Sequence, residues 1–569
     1  MANINELTER TGQIAIDPSS QSPAMKPLTT LSPSFQTHLD QIYKSLTDSK
    51  SSNFIKDIQR DEQEGAPESD PLSSLDAFRA YMASPSASAL RPARKPDTTA
   101  PITDYFISSS HNTYLTGNQL SSDSAPVAYT NTLLSGCRCV EIDDGKAADA
   151  APVEPVRLEP KVLHGHTLTK GTTFREVCYA IRDSAFVISD LPVIVSLEVH
   201  ASLEQQAIMV EIMEDAFKGL LIEVTPEMEA FTTPPPLQDL KRKILVKVKW
   251  VPATPEGQED VDDRTDDLEQ LEQTNSAAST QSASQAPSKP AKILHSLSRH
   301  AVFTKGFSFK QFTQPEAKVP GHVFSLSERA ARQADEKYGH ALFEHNRNNF
   351  MRIYPYGLRV TSSNLDPTFF WRRGAQIVAL NWQNRDKGMM LNQGMFAGEE
   401  GWILKPKGYR STEPESAPIT RRTVGLSIEF LAGQDLALPL GHTSEKGFHP
   451  YISCYLHVET PDDAPVPVGE DSTDSEKTSY KREIKCANGC NPDFRSQKLE
   501  FPTLTGVVEE LAFVRFKVKD DEIGRDSLAS WACIRLTRLQ EGYRVLHLFK
   551  TDGSQTGGSI LVRIVKTVS

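Results

Sequence analysis

The sequence predicts two kinds of folded domain, an α/β domain with parallel strands and, after it, an all-β domain. Between Ile107 and Glu198, short apolar runs rich in β-branched residues alternate with helical patterns, which indicates βαβ units. The clearest helical patterns run from Phe174 to Asp183 and from Leu203 to Leu221. From residue 420 onward, alternating strands separated by turn-rich loops are typical of a β-sandwich.

Composition places the chain among ordinary globular proteins. Its 569 residues, 38% hydrophobic and 24% charged, suffice for roughly two to four domains. No stretch approaches the ~20 apolar residues that span a bilayer, and the first residues show no signal pattern. Seven cysteines, an odd number, do not suggest a disulfide framework. We therefore expect a cytoplasmic protein that meets membranes only peripherally, and the net charge of −12 argues against general binding of nucleic acid.

The part of the chain before the α/β domain is predicted to be partly helical. Residues 1–33 are rich in Ser, Thr and Pro, and we expect them to be disordered. Residues 34–100 show an amphipathic pattern from Ser34 to Gln63 and a shorter one from Leu72 to Met82. They contain no Asp-x-Asp-x-Asp-Gly loop with a closing Glu, so we do not expect calcium binding there.

Four of the apolar runs are followed directly by polar residues. These residues are His111 and Asn112, Glu141 and Asp143, His164, and Glu198. Parallel strands of a barrel present their carboxyl ends on one face, so we expect these side chains to converge. Amide and carboxylate oxygens suit a hard cation such as Ca²⁺ better than Zn²⁺. The two imidazoles can shuttle protons near neutral pH.

The short sequence motifs that contain these residues resemble those of a known protein family. They are Ser-Ser-Ser-His-Asn-Thr-Tyr from Ser108, Gly-Cys-Arg-Cys-Val-Glu-Ile-Asp from Gly136, and Leu-His-Gly-His-Thr from Leu163. They resemble the X half of the catalytic barrel of eukaryotic phosphoinositide-specific phospholipase C. A second block, from Phe350 through Gln376-Ile-Val-Ala-Leu-Asn to Pro406, resembles its Y half.

The resemblance implies a TIM-type (β/α)8 barrel split into X and Y halves, followed by an all-β C2 sandwich. A small helical EF-hand-like remnant precedes the barrel, as in a delta-like short form without a pleckstrin-type domain. The implied ranges are 34–100 for the remnant, 101–250 for the X half, 251–320 for the linker, 321–410 for the Y half and 420–569 for the C2 domain. The linker contains an acidic run from Glu256 to Gln273, which predicts a solvated, disordered segment.

The resemblance also implies an activity, the calcium-dependent hydrolysis of phosphatidylinositol 4,5-bisphosphate. The products are diacylglycerol and inositol 1,4,5-trisphosphate, formed through a cyclic phosphodiester. The implied calcium ligands are Asn112, Glu141, Asp143 and Glu198, and the implied catalytic residues are His111, His164 and Glu141. The implied substrate-binding residues are Lys247, Lys249, Ser327, Arg352 and Tyr354. The sequence does not decide whether Glu141 or Glu198 takes the proton of the 2-hydroxyl.

Three further features bear on access of substrate or on membrane contact. Leu120, Leu168 and Leu358 match the hydrophobic ridge of the family, whereas His166 replaces an aromatic residue common there. An Ala/Pro-rich insert, residues 146–158, borders the site. In the C-terminal domain only Asp520 and Asp521 remain in a shortened loop, so we do not expect calcium-triggered docking there.

Other readings of the sequence stay open at this point. Lys247 and Lys249 alternate along one strand, and by pattern alone they could line its solvated side. Some family members are catalytically silent lipid-binding scaffolds, which lose a catalytic histidine or a calcium ligand. A bacterial-type lyase, which lacks calcium and the phosphate-binding lysines, is a third candidate. The expected partner is an anionic, phosphoinositide-containing membrane surface, met by a monomer.

Overall fold

The computed structural model describes residues 27–48, 53–61, 70–119, 122–145, 159–162, 171–225, 231–251, 258–259, 293–459, 479–522, 524 and 526–569. These residues form two compact units. The first contains residues 95–389 and 399–418, and the second contains the N-terminal helices, residues 390–398 and the C-terminal sheet. The predictions for residues 1–26, for the insert at 146–158 and for the acidic run apart from residues 258–259 lie outside the described residues.

The helices in the described residues include the four that the sequence patterns predict, although their bounds differ from the predicted ones. They are α1 Pro33–Asp48, α2 Leu75–Ala83, α3 Pro126–Leu134, α4 Phe174–Ser184, α5 Leu203–Ala216, α6 His295–Ser298, α7 Glu328–Tyr338, α8 His340–Asn348, α9 Pro367–Arg372 and α10 Lys387–Phe396. Capping boxes start two of them, with Thr173 and Glu176 before α4 and Ser202 and Gln205 before α5. Each box satisfies backbone N–H groups that the first helical turn leaves without partners. Among the described helices, none is both long and apolar enough to cross a membrane.

The first unit is a closed barrel of eight parallel strands. They are β1 Tyr105–Ser110, β2 Cys139–Gly145, β3 Val193–Val199, β4 Ile244–Lys249, β5 Lys305–Phe307, β6 His322–Ser327, β7 Phe350–Tyr354 and β8 Ile377–Leu380. Each strand pairs in parallel with the next, and β8 and β2 both pair with β1, which closes the ring. A short strand at Trp402–Leu404 pairs with β1 in the antiparallel sense. The predicted TIM-type barrel is therefore confirmed.

Strands β1 and β3 of the barrel are buried on both faces. Ile107, Ile194, Leu245, Val323 and Ile377 are all buried in one cluster. Parallel strands covered on both sides read as near-continuous apolar runs, and this is the pattern that made β1 to β3 visible in the sequence.

The boundary predicted between the two half-barrels is wrong at one end. The range 251–320 was assigned to the linker, yet β5 lies inside it and pairs with both β4 and β6. The ordered chain resumes with a short strand at Ile293–Leu294 and with α6. A strand of three residues is too short to show a period, so the sequence pattern alone could not reveal it.

The second unit contains the all-β domain that the sequence predicted. Its strands are β9 Arg422–Gln434, β10 Pro450–His457, β11 Ser479–Glu483, β12 Asp493–Glu500, β13 Leu504–Val507, β14 Phe513–Asp520, β15 Ser527–Arg535, β16 Gly542–Lys550 and β17 Gln555–Val568. They pair antiparallel in the order β11-β10-β14-β15-β16-β17-β9-β12, with β13 beside β9. Only two residue pairs join β15 to β16. Side chains of β9, β14 and β17 share one buried core, as in a C2 sandwich.

The N-terminal helices pack on this sheet. Phe35, Leu39 and Phe78 form a buried cluster with Leu431 and Val545 of the sandwich. The helix predicted from Ser34 to Gln63 ends instead at Asp48, and a single π-type turn at Phe54–Ile58 follows later. The amphipathic stripe of α1 is thus explained by burial against a β-sheet, a partner that the sequence did not predict.

Candidate active site

The carboxyl ends of the barrel strands carry most of the predicted site residues. Asn112 follows β1, Glu141 and Asp143 lie on β2, and Glu198 lies on β3. Asp143 and Glu198 are register partners on neighbouring parallel strands. Their side chains therefore leave the sheet side by side, as expected for the shared end of a barrel.

Asn112 sits in a turn that brings the backbone to a carboxylate. Its φ is +43°, the left-handed region that Asn tolerates better than most residues. In this conformation its backbone N–H donates to Oε2 of Glu141 at 2.9 Å. The loop after β1 is thereby held against β2.

Glu141 also receives a charged partner from the other half of the barrel. Nη2 of Arg352 donates to Oε1 of Glu141 at 2.5 Å, and both side chains are buried. Burial works to lower the pKa of Arg352, but Glu141 together with Cys139, Tyr354 and Glu198 raises it above its usual value. The contacts with Asn112 and Arg352 thus occupy one lone pair on each carboxylate oxygen of Glu141, which leaves fewer lone pairs for a cation or a proton.

Asp143 and Glu198 share an imidazole. Nε2 of His200 lies 3.2 Å from Oε1 of Glu198 and 3.7 Å from Oδ1 of Asp143. The hydrogen bond with Glu198 raises the pKa of His200 to about 9. Partial burial works to raise the pKa of Glu198, but His200 and the charges of Arg352 and Lys247 bring it to about 2. Burial, together with the charge of Glu198, raises the pKa of Asp143 well above its usual value.

The donor set fits a hard cation. Oδ1 of Asp143 is buried and makes no hydrogen bond within the described residues, whereas its Oδ2 accepts from the hydroxyl of Tyr114 at 3.1 Å. A cation beside Oδ1 would satisfy that oxygen and keep the carboxylate ionised. In the part of the chain that the structure describes, the oxygens of Glu141, Asp143 and Glu198 do not all lie within 4.8 Å of one another.

The predicted substrate-binding residues surround the same end of the barrel. Lys247 lies on β4 and Arg352 and Tyr354 lie on β7. Burial, with the charge of Arg352, lowers the pKa of Lys247 to about 8. Ser327 ends β6 and is the register partner of Tyr354, and its Oγ caps α7 by accepting from the N–H of Ala330 at 3.3 Å. Lys249 is on the same strand as Lys247, two residues further on.

His111 is oriented by contacts on two sides. Its ring stacks on that of Tyr354, with centroids 6.0 Å apart and planes 4° from parallel. Its Nδ1 lies 2.9 Å from Oδ1 of Asn381. Burial lowers the pKa of His111, which favours the neutral imidazole. Tyr354, one of the implied substrate-binding residues, thus has His111 stacked on its ring, and the guanidinium carbon of Arg352 lies 5.2 Å from the centroid of that ring.

Several predicted residues lie outside the described part of the chain. His164, His166, Leu120 and Leu168 are among them, so their places relative to the site stay predictions. Leu358 of the predicted ridge is described, and 56% of its surface is exposed. Val360, two residues on, is also exposed.

Sequence analysis missed three residues that touch the predicted ones. Asn381 holds His111, and it follows β8 as the other site residues follow their strands, so the same rule could have found it. His200 lies two residues after Glu198, just beyond the end of β3. Gln119 accepts from Nδ2 of Asn112 at 2.8 Å, and it lies in a loop where no pattern marks it.

A second group of possible metal ligands lies in the C-terminal unit. Ligand atoms of His442, Asp520 and Glu522 lie within 4.8 Å of one another. Asp520 accepts from the backbone N–H of His449 at 2.8 Å. An imidazole among two carboxylates is not the all-oxygen set that Ca²⁺ prefers, so the expectation of no calcium-triggered docking there stands unchanged.

Comparison with known families places these residues in recognised domains. Residues 98–250 match the phosphatidylinositol-specific phospholipase C X domain, and residues 297–408 match the corresponding Y domain. Residues 28–93 match an EF-hand family. The X-domain match contains β1 to β4, and the Y-domain match contains β5 to β8. The EF-hand match contains α1 and α2.

Individual relatives extend the similarity along most of the chain. The chain is 36% identical over 500 residues to human 1-phosphatidylinositol 4,5-bisphosphate phosphodiesterase delta-3, covering 86% of this chain and 60% of that protein. It is 33% identical over 525 residues to the corresponding phosphodiesterase 1 of Candida albicans, covering 82% and 47%. The crystal structure of S. officinalis PLC21 aligns with a TM-score of 0.73 at 25% identity, covering 95% and 69%. The chain thus spans about half to three fifths of the length of these two curated relatives.

Proposed function

Because the chain belongs to the eukaryotic, delta-like family of phosphoinositide-specific phospholipases C, we propose that it is a phosphoric diester hydrolase acting on phosphatidylinositol 4,5-bisphosphate. The products are diacylglycerol and inositol 1,4,5-trisphosphate. The observation that carries the proposal is the meeting, at one end of the barrel, of an amide and three carboxylates with the cationic side chains of Lys247 and Arg352.

Head-group recognition is assigned to the cationic side of this site. Lys247, Lys249 and Arg352 bind the 4- and 5-phosphates of the inositol ring, with Ser327 as a further donor. Guanidinium suits phosphate because it donates in a planar fork. Tyr354 forms the wall next to the ring, in contact with His111. Three cations together favour phosphorylated inositides over plain phosphatidylinositol.

The reaction begins with attack of the 2-hydroxyl of inositol on the adjacent phosphate. The attack is intramolecular, so the substrate itself supplies much of the orientation. His111 contacts the phosphate. His164 donates the proton that the departing diacylglycerol oxygen needs, and it later takes a proton from the water that opens the cyclic phosphodiester.

The residue that takes the proton of the 2-hydroxyl is Glu141 or Glu198. Both oxygens of Glu141 already accept hydrogen bonds, one from Arg352 and one from the backbone of Asn112. Glu198 has a single hydrogen bond to His200 in the described structure, and 47% of its side chain is exposed. This difference leaves an oxygen of Glu198 open to the hydroxyl, but a pKa of about 2 makes Glu198 a weak base, so both residues remain candidates.

The cofactor proposed for this site is Ca²⁺, held by Asn112, Glu141, Asp143 and Glu198. When bound, it supplies positive charge that lowers the pKa of the attacking hydroxyl and offsets charge developing on the phosphoryl oxygens. For Ca²⁺ to bind there, the imidazolium of His200 would have to move, because it already lies near the carboxylates of Asp143 and Glu198.

The site of action proposed is the surface of an anionic membrane, reached from the cytoplasm by a monomer. Leu358, with more than half of its surface exposed, is suited to dip among lipid tails. The partners are phosphoinositide lipids, and no role for nucleic acid is proposed because the net charge is −12.

Product analysis tests the proposal. The chain is incubated in calcium with mixed micelles of phosphatidylinositol 4,5-bisphosphate labelled in both the inositol and the acyl chains. We expect labelled diacylglycerol and labelled inositol trisphosphate in equal amounts. Binding to the micelles without any turnover would instead support a silent lipid-binding scaffold, and equal turnover in chelator of plain phosphatidylinositol would support a bacterial-type lyase.

A further inference from the structure

A buried hydrogen-bond network lies beneath the site and joins its two halves. Its members are Gln119, Ser362, Asn381 and the two predicted site residues His111 and Asn112. Apart from His111, all of them are buried, with exposed fractions of 1–7%. Gln119, Ser362 and Asn381 connect the two predicted site residues.

The first anchor is a backbone carbonyl. Oγ of Ser362 donates to the carbonyl oxygen of Gly117 at 2.8 Å. A carbonyl oxygen only accepts, so the single hydroxyl proton of Ser362 is committed to it. Ser362 has φ of +57°, a conformation that a Ser adopts only where the surroundings enforce it.

The polarity of Gln119 follows from that anchor. Because Oγ of Ser362 can only accept from other groups, Gln119 must turn its Nε2 toward it, and the two atoms lie 2.9 Å apart. Oε1 of Gln119 then faces Asn112 and accepts from its Nδ2 at 2.8 Å. The amide oxygen of Asn112 is thereby turned away from Gln119, and this is the only atom of that side chain that can ligate a cation.

The second anchor fixes His111 in the same way. Nδ2 of Asn381 donates to the carbonyl oxygen of Ser363 at 3.2 Å, so Oδ1 of Asn381 faces inward. That oxygen accepts from Nε2 of Gln119 at 3.3 Å and lies 2.9 Å from Nδ1 of His111. Nδ1 must therefore carry the proton, and the neutral ring presents the lone pair of Nε2 to the site.

We propose that Gln119, Ser362 and Asn381 are positioning residues that fix which atoms Asn112 and His111 present to the substrate and to a cation. The role toward substrate and cation rests on the proposed function, whereas the donor and acceptor assignments follow from the hydrogen bonds alone. One consequence concerns the chemistry. Neutral His111 accepts a hydrogen bond at Nε2, from the attacking hydroxyl for instance, and it can donate to a phosphoryl oxygen only after taking up a second proton.

The tautomer of His111 is measured directly. In the full chain with ¹⁵N-labelled histidine, at mildly alkaline pH, long-range proton–nitrogen correlations distinguish a protonated from an unprotonated ring nitrogen. We expect Nδ1 of His111 to be protonated and Nε2 unprotonated in the unmodified protein and in Asn381→Asp, which keeps the acceptor. Asn381→Leu should shift His111 toward the other tautomer. A protonated Nε2 in the neutral ring of the unmodified protein would overturn the assignment without any variant.

The orientation of Asn112 is tested by calcium binding, measured by titration calorimetry rather than by turnover. Gln119→Met keeps the length of the side chain and removes its three side-chain hydrogen bonds, to Asn112, Ser362 and Asn381. We expect the affinity to fall about 10- to 100-fold, as for lost partners of metal ligands. Gln383→Met is the matched control, since Gln383 donates to the same Ser362 at 3.2 Å but has no hydrogen bond to Asn112 in the described structure. We expect its affinity to stay unchanged.

The outcomes separate this inference from the proposed function. If the unmodified chain binds calcium and Gln119→Met binds it equally well, the role of Gln119 is wrong. If the unmodified chain binds no calcium at the barrel, the proposed cofactor is wrong, and the tautomer of His111 still decides whether the network sets polarity.

Discussion

Arg352 and Glu141 form a buried ion pair that joins the two halves of the barrel, with Nη2 of Arg352 2.5 Å from Oε1 of Glu141. The proposed function asks each partner for a second contact, Arg352 for a ring phosphate and Glu141 for a cation. The ion pair therefore holds both side chains in place in the structure described here. When substrate and cation bind, Arg352 and Glu141 must either keep this hydrogen bond beside the new contacts or give it up.

The first prediction concerns the stability that this pair confers. Arg352→Leu leaves the carboxylate of Glu141 buried without its charged partner, and we expect the barrel to lose about 3–5 kcal/mol of unfolding free energy. Urea unfolding followed by a probe in the barrel measures the change. Arg242→Leu is the control, because its ion pair with Asp190 is more than half exposed and should contribute less than about 1 kcal/mol.

The double variant Arg352→Leu with Glu141→Gln tests the cause of that loss. Removing the charge of Glu141 should recover part of the stability, because the cost arises from an unpaired buried carboxylate. Additive losses in the double variant would mean that the two side chains stabilise the barrel through separate contacts.

The second prediction concerns head-group selectivity. Lys247→Leu removes a charged hydrogen bond worth roughly 1.5–3 kcal/mol, so kcat/KM for the bisphosphate should fall about 10- to 150-fold. Turnover of plain phosphatidylinositol should hardly change. Lys241→Leu, at an exposed position before the same strand, should leave both substrates unaffected. Equal losses on the two lipids would show that Lys247 is structural.

The third prediction is a pH dependence. Because burial lowers the pKa of Lys247 to about 8, the free enzyme carries this charge fully at pH 7 and loses it as the pH rises through 8. We expect KM for the bisphosphate to rise above pH 8 and to rise less steeply in Lys247→Leu. A phosphate beside the ammonium opposes its deprotonation, so kcat, which reports the enzyme–substrate complex, should stay constant to a higher pH than kcat/KM. Parallel pH profiles for both proteins would exclude Lys247 as the group responsible.

The fourth prediction concerns His164, which lies outside the described residues. As the proposed general acid, it should contribute about 10²–10⁴-fold to the rate, and His164→Gln should lose that factor. Binding of the head group should survive, because the ring phosphates are assigned to Lys247, Lys249 and Arg352. Near-normal turnover by His164→Gln would remove the residue from the mechanism.

The sequence predicted the barrel well where its strands were long and apolar. β1, β2 and β3 were visible because burial on both faces leaves near-continuous apolar runs that end in polar residues. β5 was lost in the predicted linker because three residues, Lys305–Phe307, show no period. In the sandwich, β11, β12 and β13 carry exposed polar side chains and few apolar positions, so their pattern in the sequence is weak.

From the pattern of the sequence alone, site residues could be predicted only where they follow the end of an apolar strand. Asn381 obeys that rule and was passed over, while Gln119 obeys none, since its position depends on how the loop after β1 folds back. The pairing of Arg352 with Glu141, 211 residues apart, follows from closure of the barrel. The sequence names both partners but contains nothing that places them together.

The central claim is that the oxygen ligands at the mouth of the barrel serve a calcium-dependent cleavage. Its most direct test is turnover of phosphatidylinositol 4,5-bisphosphate in mixed micelles, measured in calcium, in chelator and after calcium is restored. We predict turnover that chelation abolishes and calcium restores, with Asn112→Ala and Glu198→Gln requiring more calcium than the unmodified chain. Full turnover in chelator would contradict the account.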